Sequence, residues 1–142
     1  MAFTGNYTCN SFLTGLMDGS FDFGTGTTDT FYIALYTNAA SLSNTTTEYT
    51  TDGEVVASGY APQLLTISQT PTVAGVNPPT AYISFSNVSW SSALTARGAL
   101  IYKPGANGAI CVLDFGNDKT STSTFTIQFP AATSTSAIIR IS

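Results

Sequence analysis

Apolar and polar positions change period along this chain, and the change comes early. Across 9–18 (CNSFLTGLMD), Phe12, Leu13, Leu16 and Met17 recur at i, i+1, i+4 and i+5, the stripe of one helical face. Thr8 or Asn10 is placed to cap the start of this helix, and Gly19 to end it. Phe21 and Phe23 alternate around Asp22, and GTGTTDT then reads as loop. From there on the period is two, or the apolar runs are short. Residues 30–37 (TFYIALYT) are rich in β-formers and apolar on both faces, which predicts a central, buried strand. A long polar connection follows, 38–53, pinned by Leu42 and Tyr49. EVVASGY (54–60) and QLLTISQ (63–69) predict two more strands. PTVAGVNPPT (71–80) holds three of the six prolines and predicts loop.

The second half alternates more cleanly. In AYISFSNVSW (81–90), Tyr82, Ser84, Ser86 and Val88 fall on one face, with Ile83, Phe85 and Trp90 on the other. LTARGALIY (94–102) predicts a strand in which Gly98 marks a bulge or a close backbone approach. KPGANG is a turn signal and AICVLDF resumes as strand, so 97–115 reads as a β-hairpin. The Gly-Asn-Asp of 116–118 is expected to turn the chain out of it. FTIQF (125–129) and AIIRI (137–141) supply two further strands around a small polar loop. Eight or nine strands with no helices between them predict a mainly β fold. The expectation is one domain over 1–142: an antiparallel β-sandwich or jelly-roll-like barrel with one short N-terminal helix, 9–18. Residues 1–10 are a candidate extended arm.

Composition changes the picture of the surface. Charged residues make up 8% of the chain, against about 25% in ordinary globular domains. In their place stand 24 Thr and 16 Ser. Such a surface is hydrated by hydroxyls rather than by charge, and packs readily against other proteins. Disorder is excluded by the 43% hydrophobic content and a net charge of only −4. The four cations, Arg97, Lys103, Lys119 and Arg140, are scattered, so no nucleic-acid-binding face is expected. Cys9 and Cys111 read as free thiols, with no disulfide framework and no zinc set. No basic start with an apolar run suggests a signal peptide, and no apolar run is long enough for a membrane span. The expectation is a soluble product of a reducing cytoplasm.

Little in the chain can do chemistry. Asp114-Phe115-Gly116 spells a kinase triplet, but the Gly-rich loop, strand lysine and catalytic loop of a kinase are missing. With no histidine, Ser-His and Cys-His nucleophiles are excluded and the usual general base is absent. Carboxylate pairs remain, Asp114 with Asp118 or Asp18 with Asp22, and turn stabilisation is the simpler role for each. Asp114, Asn117 and Asp118 offer oxygen ligands for calcium, but not at EF-hand spacing. Arg97 is expected to form an ion pair with Asp114 or Asp118 across the hairpin, fixing its register, or else to meet a neighbouring subunit. Phe31, Tyr32, Tyr36, Tyr82, Phe85, Trp90 and Tyr102 could build a sugar-stacking platform, although aromatics alternating in strands more often form core or subunit contacts. No cofactor or metal is expected.

NSFLTGLMDGSFDF, TFYIALYTNAASLSNTTTEYTT, GEVVASGY, TARGALIYKPGANGAICVLDFGNDKTSTSTFTIQFP and the final AIIRI cover most of the chain. In these stretches the sequence resembles a family of small β-rich proteins encoded among the virion structural genes of tailed bacteriophages, especially those of cyanobacteria and marine bacteria. Cys9 and Cys111 depart from it, at places where other small residues are expected. The resemblance implies a non-enzymatic virion component assembled in the host bacterial cytoplasm. A capsid decoration, or cement, protein on the major capsid protein is the leading reading, with a trimer as the favoured homo-oligomer. A neck, tail or fibre-associated protein is the alternative, and a carbohydrate-binding module a more distant one. Phe3, Tyr7 and Phe12 are the candidate arm onto the shell or a neighbouring subunit, so deletion of residues 1–10 is expected to abolish shell binding and leave the fold intact.

Overall fold

The computed structural model describes residues 3–142 and confirms a mainly β fold with antiparallel sheets and one short helix. The elements are β1 (Tyr7–Thr8), α1 (Asn10–Asp18), β2 (Phe31–Tyr36), β3 (Gln63–Leu65), β4 (Ile67–Ala74) and β5 (Thr80–Phe85). They continue with β6 (Val88–Trp90), β7 (Thr95–Tyr102), β8 (Ala109–Thr120), β9 (Phe125–Ile127) and β10 (Ile139–Ile141). A five-stranded sheet runs in the order β1-β8-β7-β2-β3. Its companions are a three-stranded sheet, β10-β5-β4, and a two-stranded one, β6-β9.

The both-face apolarity of β2 has a direct cause. Phe31, Ile33 and Leu35 join the larger core, together with Phe85 of β5, Trp90 of β6, Phe125 of β9 and Phe12 of α1. Ala34 and Tyr36 point the other way, into a second core with Leu100, Tyr102 and Val112. That second face has no sheet over it. Ala40 and Leu42 of the long polar connection cover it, joined by Phe3, with Tyr49 packed alongside. Tyr36 is buried there and its hydroxyl donates to the Thr50 carbonyl at 2.7 Å, closing the connection onto the strand.

The helix forms where the apolar stripe predicts, but its start differs. Cys9 is the N-cap and gives no side-chain cap; its own N–H donates to the Ile110 carbonyl instead. Neither Thr8 nor Asn10 caps, because the entry is set by β1 pairing with β8. Gly19 ends the helix in the left-handed conformation, as expected. Only Phe12 of the predicted stripe is buried; Leu13 and Met17 face outward.

The β7–β8 hairpin is present, and Gly98 fills both roles read for it. The register shifts between Ala96 and Gly98, and a Cβ on Gly98 would run into the Leu113 carbonyl and the Phe3 ring. The expected turn at 116–118 does not form. β8 continues to Thr120, and residues 115–118 make a bulge opposite Arg97, with Gly116 at φ 83°. Ser121 and Leu94 then hold the strand end together, because the next pairing, β6 with β9, lies in the other layer.

Three other expectations change. Residues 54–60 make one isolated bridge, Glu54 to Tyr36, and no strand. Residues 71–74 belong to β4, an edge strand that tolerates Pro71 because its register is already broken between Gln69 and Thr72. The run 81–90 breaks at Ser86-Asn87 into β5 and β6, and Val88 then lies on the same buried face as Trp90. Each follows from which neighbour the backbone meets, which a local pattern does not carry.

Candidate interaction surface

Phe3 and Phe12, read as arm contacts, are core residues of their own chain. Phe3 fills the hollow left over β7 by the missing side chain of Gly98. Phe12 meets Phe21 edge-on at 5.1 Å and Phe23 at 6.0 Å. Tyr7 is half-buried against the second core, and its hydroxyl bonds Thr4. The described part of 1–10 is therefore fixed to the chain's own sheet rather than extended; Met1 and Ala2 lie outside the described residues.

The hairpin ion pair forms with one of its two candidates. Arg97 Nε donates to Asp114 Oδ1 at 3.2 Å, across the Gly98–Asp114 register. Asp118 lies on the exposed far side of the bulge and takes no part. The same Asp114 oxygen accepts the Gly116 N–H at 2.8 Å, and the Asp114 N–H donates to Asn6 Oδ1 at 2.7 Å. Asp-Phe-Gly is thus a bulge clasp: the carboxylate holds the glycine that turns the strand. Asp18 and Asp22 do similar local work, accepting the N–H groups of Ser20 and Gly24. Among the described residues no group of three His, Cys, Asp or Glu gathers to hold a metal. Cys9 and Cys111 are free thiols, pushed up to about 11 and about 12 by burial.

Two carboxylates give the fold an acid dependence. The Gly116 N–H and Arg97 hold the Asp114 carboxyl below its ordinary value, and Lys103, bonded at 2.8 Å, does the same for Asp29. A carboxyl depressed in the folded state adds stability above its unfolded value, near pH 4, which is lost as pH falls through the lower folded value. Thermal melts should therefore drop in midpoint below about pH 4. The double variant Asp29→Asn, Asp114→Asn should lose less between pH 5 and the acid end; equal losses would contradict this origin.

Of the seven aromatics considered for a platform, Phe31, Tyr36, Phe85, Trp90 and Tyr102 are buried in the cores, and Tyr32 and Tyr82 are half-buried. Tyr32 and Tyr102 stack at 5.9 Å, and Tyr49 stacks on Tyr102 at 4.9 Å. Tyr49 is the member that the sequence reading used only as a loop anchor. Its contact with Tyr102 comes from the long connection folding back over the sheet.

The surface itself is unevenly charged. Between Glu54 and Arg97 there is no charged residue at all. This segment contains β3, β4, β5 and β6, and four of its apolar side chains, Val56, Leu64, Val73 and Val76, are exposed. Val73, Ala81 and Ile141 form one cross-strand row over the three-stranded sheet, continuing outward from Ile83 and Ile139. Elsewhere a groove of about 560 Å³ opens between the bulged half of β8 and β9, lined in part by Leu113, Phe115, Phe125, Ile127, Phe129 and Ile138. Open edges are mostly blunt: β1, β3 and β10 are two or three residues long, and β4 carries Pro71 and two register shifts. No described helix is long and apolar enough to cross a membrane. No protein-family model, curated protein or solved structure matches the chain.

Proposed function

We propose that the chain is a non-enzymatic structural component of a phage virion, a capsid decoration protein that binds over junctions of the major capsid protein as a homo-oligomer. The observation that carries this reading is the charge-free segment from Val55 to Ala96 with its exposed valines and Leu64. A lone soluble domain gains little from such a surface, whereas a subunit covered by neighbours gains apolar burial without the cost of desolvating charge. Blunt edges fit the same use. They direct association to side-chain faces and away from open-ended strand addition. Many modest contacts, repeated over several capsid subunits, then add through avidity. The resemblance to small β-rich virion proteins supports the same class, and a trimer is the favoured assembly.

Quantitative mass spectrometry of purified virions tests this. A decoration protein should be present in hundreds of copies, on the order of the number of capsomer junctions. A neck, tail or fibre protein would instead appear in ring or fibre stoichiometry, and absence from the particle would remove the virion reading altogether.

A further inference from the structure

We propose that the pocket over Tyr102 receives the cationic head of an arginine or lysine side chain presented by a partner protein. The pocket is about 340 Å³ and is walled by Tyr32, Glu48, Tyr49, Pro62, Tyr102 and Pro104. Tyr102 is only 6% exposed, yet its hydroxyl has no hydrogen-bond partner among the described residues. No buried side-chain nitrogen or oxygen among them lacks a partner, so this hydroxyl reaches the open pocket. Its ring cannot swing away. It stacks with Tyr49, 18° from parallel, and with Tyr32, 24° from parallel. The aromatic wall thus holds a phenol hydroxyl at the pocket, open to donate to or accept from a ligand.

Charge selects the class of ligand. From Asp29 to Arg97 the chain between carries three ionisable charges, Glu48, Asp52 and Glu54, all acidic and all beside this pocket in sequence. Glu54 lies behind Tyr49, accepting from the Tyr49 hydroxyl at 2.6 Å and the Tyr60 hydroxyl at 2.8 Å. Tyr60 is itself fixed by the Leu35 N–H at 2.8 Å. Among the described residues no cation pairs with Glu54, and Glu48 in the pocket wall has no partner. Burial, with Glu54 adding to it, pushes the Tyr102 phenol up to about 12, so it remains a neutral hydroxyl whose oxygen can accept. Ring faces and proline edges suit the apolar stem of a long basic side chain, the phenol oxygen accepts an N–H, and Glu48 supplies the counter-charge. An anion would meet the Glu48 carboxylate in the pocket wall. A neutral sugar would leave its charge uncompensated.

The proposal concerns the isolated protein and does not depend on the virion reading. The test uses the full chain with ¹³C-labelled tyrosine, titrated with argininamide, the peptide Gly-Gly-Arg-Gly-Gly, the same peptide with Gln for Arg, and glucose. Saturable shifts of the Tyr102 and Tyr49 signals are expected with argininamide and the Arg peptide only. Glu48→Gln should weaken binding roughly 2- to 5-fold, and Tyr102→Phe about 3- to 10-fold, with melting curves confirming that both variants are folded. Added salt should weaken binding further. Absence of saturation, equal binding of the Gln peptide or glucose, or indifference to Glu48→Gln would overturn the site. Binding of argininamide without the Arg peptide would overturn its assignment to a protein side chain.

Discussion

Trp90→Ala should lower the stability of the fold by about 3–5 kcal/mol, the usual range for removing a buried aromatic. The side chain is 1% exposed and packs against Tyr60 at 6.1 Å and edge-on against Phe125 at 6.2 Å. It also carries a structural hydrogen bond, from its indole N–H to the Ala61 carbonyl at 2.7 Å. That bond ties the strandless segment before β3 to β6, so the loss reaches beyond one cavity. Net stability of a domain this size is about 5–15 kcal/mol, and the variant would therefore consume a large share of it. Trp90→Phe keeps most of the ring volume but strands the carbonyl, and should cost about 1–3 kcal/mol. Urea unfolding followed by circular dichroism measures both, since the only tryptophan is gone from each. A Trp90→Ala variant as stable as the parent would mean that β6 and β9 do not close the core as described.

Gly98→Ala should cost about 3 kcal/mol, the upper end for overpacking. The new Cβ would collide with the Leu113 carbonyl and come within 2.6 Å of Phe3 Cζ. A ring can shift, but the carbonyl belongs to the β7–β8 ladder and cannot move without breaking it. Phe3→Ala should cost about 3 kcal/mol by leaving the hollow empty. The two losses should not add: with the ring gone, half of the collision disappears, so the double variant should be more stable than the sum by about 1 kcal/mol. Strict additivity in a double-mutant cycle would deny the Phe3–Gly98 contact. The same contact makes deletion of residues 1–10 a folding variant, since it removes Phe3, β1 and the buried Cys9 cap together. Loss of shell binding after that deletion would say nothing about an arm.

Local chemistry explains what was readable. The helix around Phe12, the Gly19 stop, the both-face apolarity of 31–36 and the hairpin around KPGANG each depend on a few neighbouring residues, and each is found. Gly98 was readable for the same reason, as a glycine inside a strand pattern needs a cause. Phe3 and Phe12 misled because an apolar residue near a chain start looks the same whether it meets a partner or its own sheet. The Gly-Asn-Asp of 116–118 misled because one sequence serves both a turn and a bulge. Here it serves a bulge, beside the Arg97–Asp114 pair, and the strand pairing resumes at Lys119.

The tyrosine pocket was the least legible part. Tyr49, Glu54 and Tyr60 share one stretch of chain, but Tyr32 and Tyr102 come from β2 and β7, and no local pattern brings them to it. By itself the sequence determined the β class, the single short helix, the hairpin and the near absence of charge, because periodicity, turn chemistry and composition act over a few bonds. Only the tertiary structure decided that the long polar connection roofs the second face of the main sheet, that Phe3 and Phe12 belong to their own chain's cores, and that Tyr49 bridges Glu54 to the Tyr102 ring. Those outcomes rest on which distant surfaces exclude water from one another, and that depends on the whole chain at once.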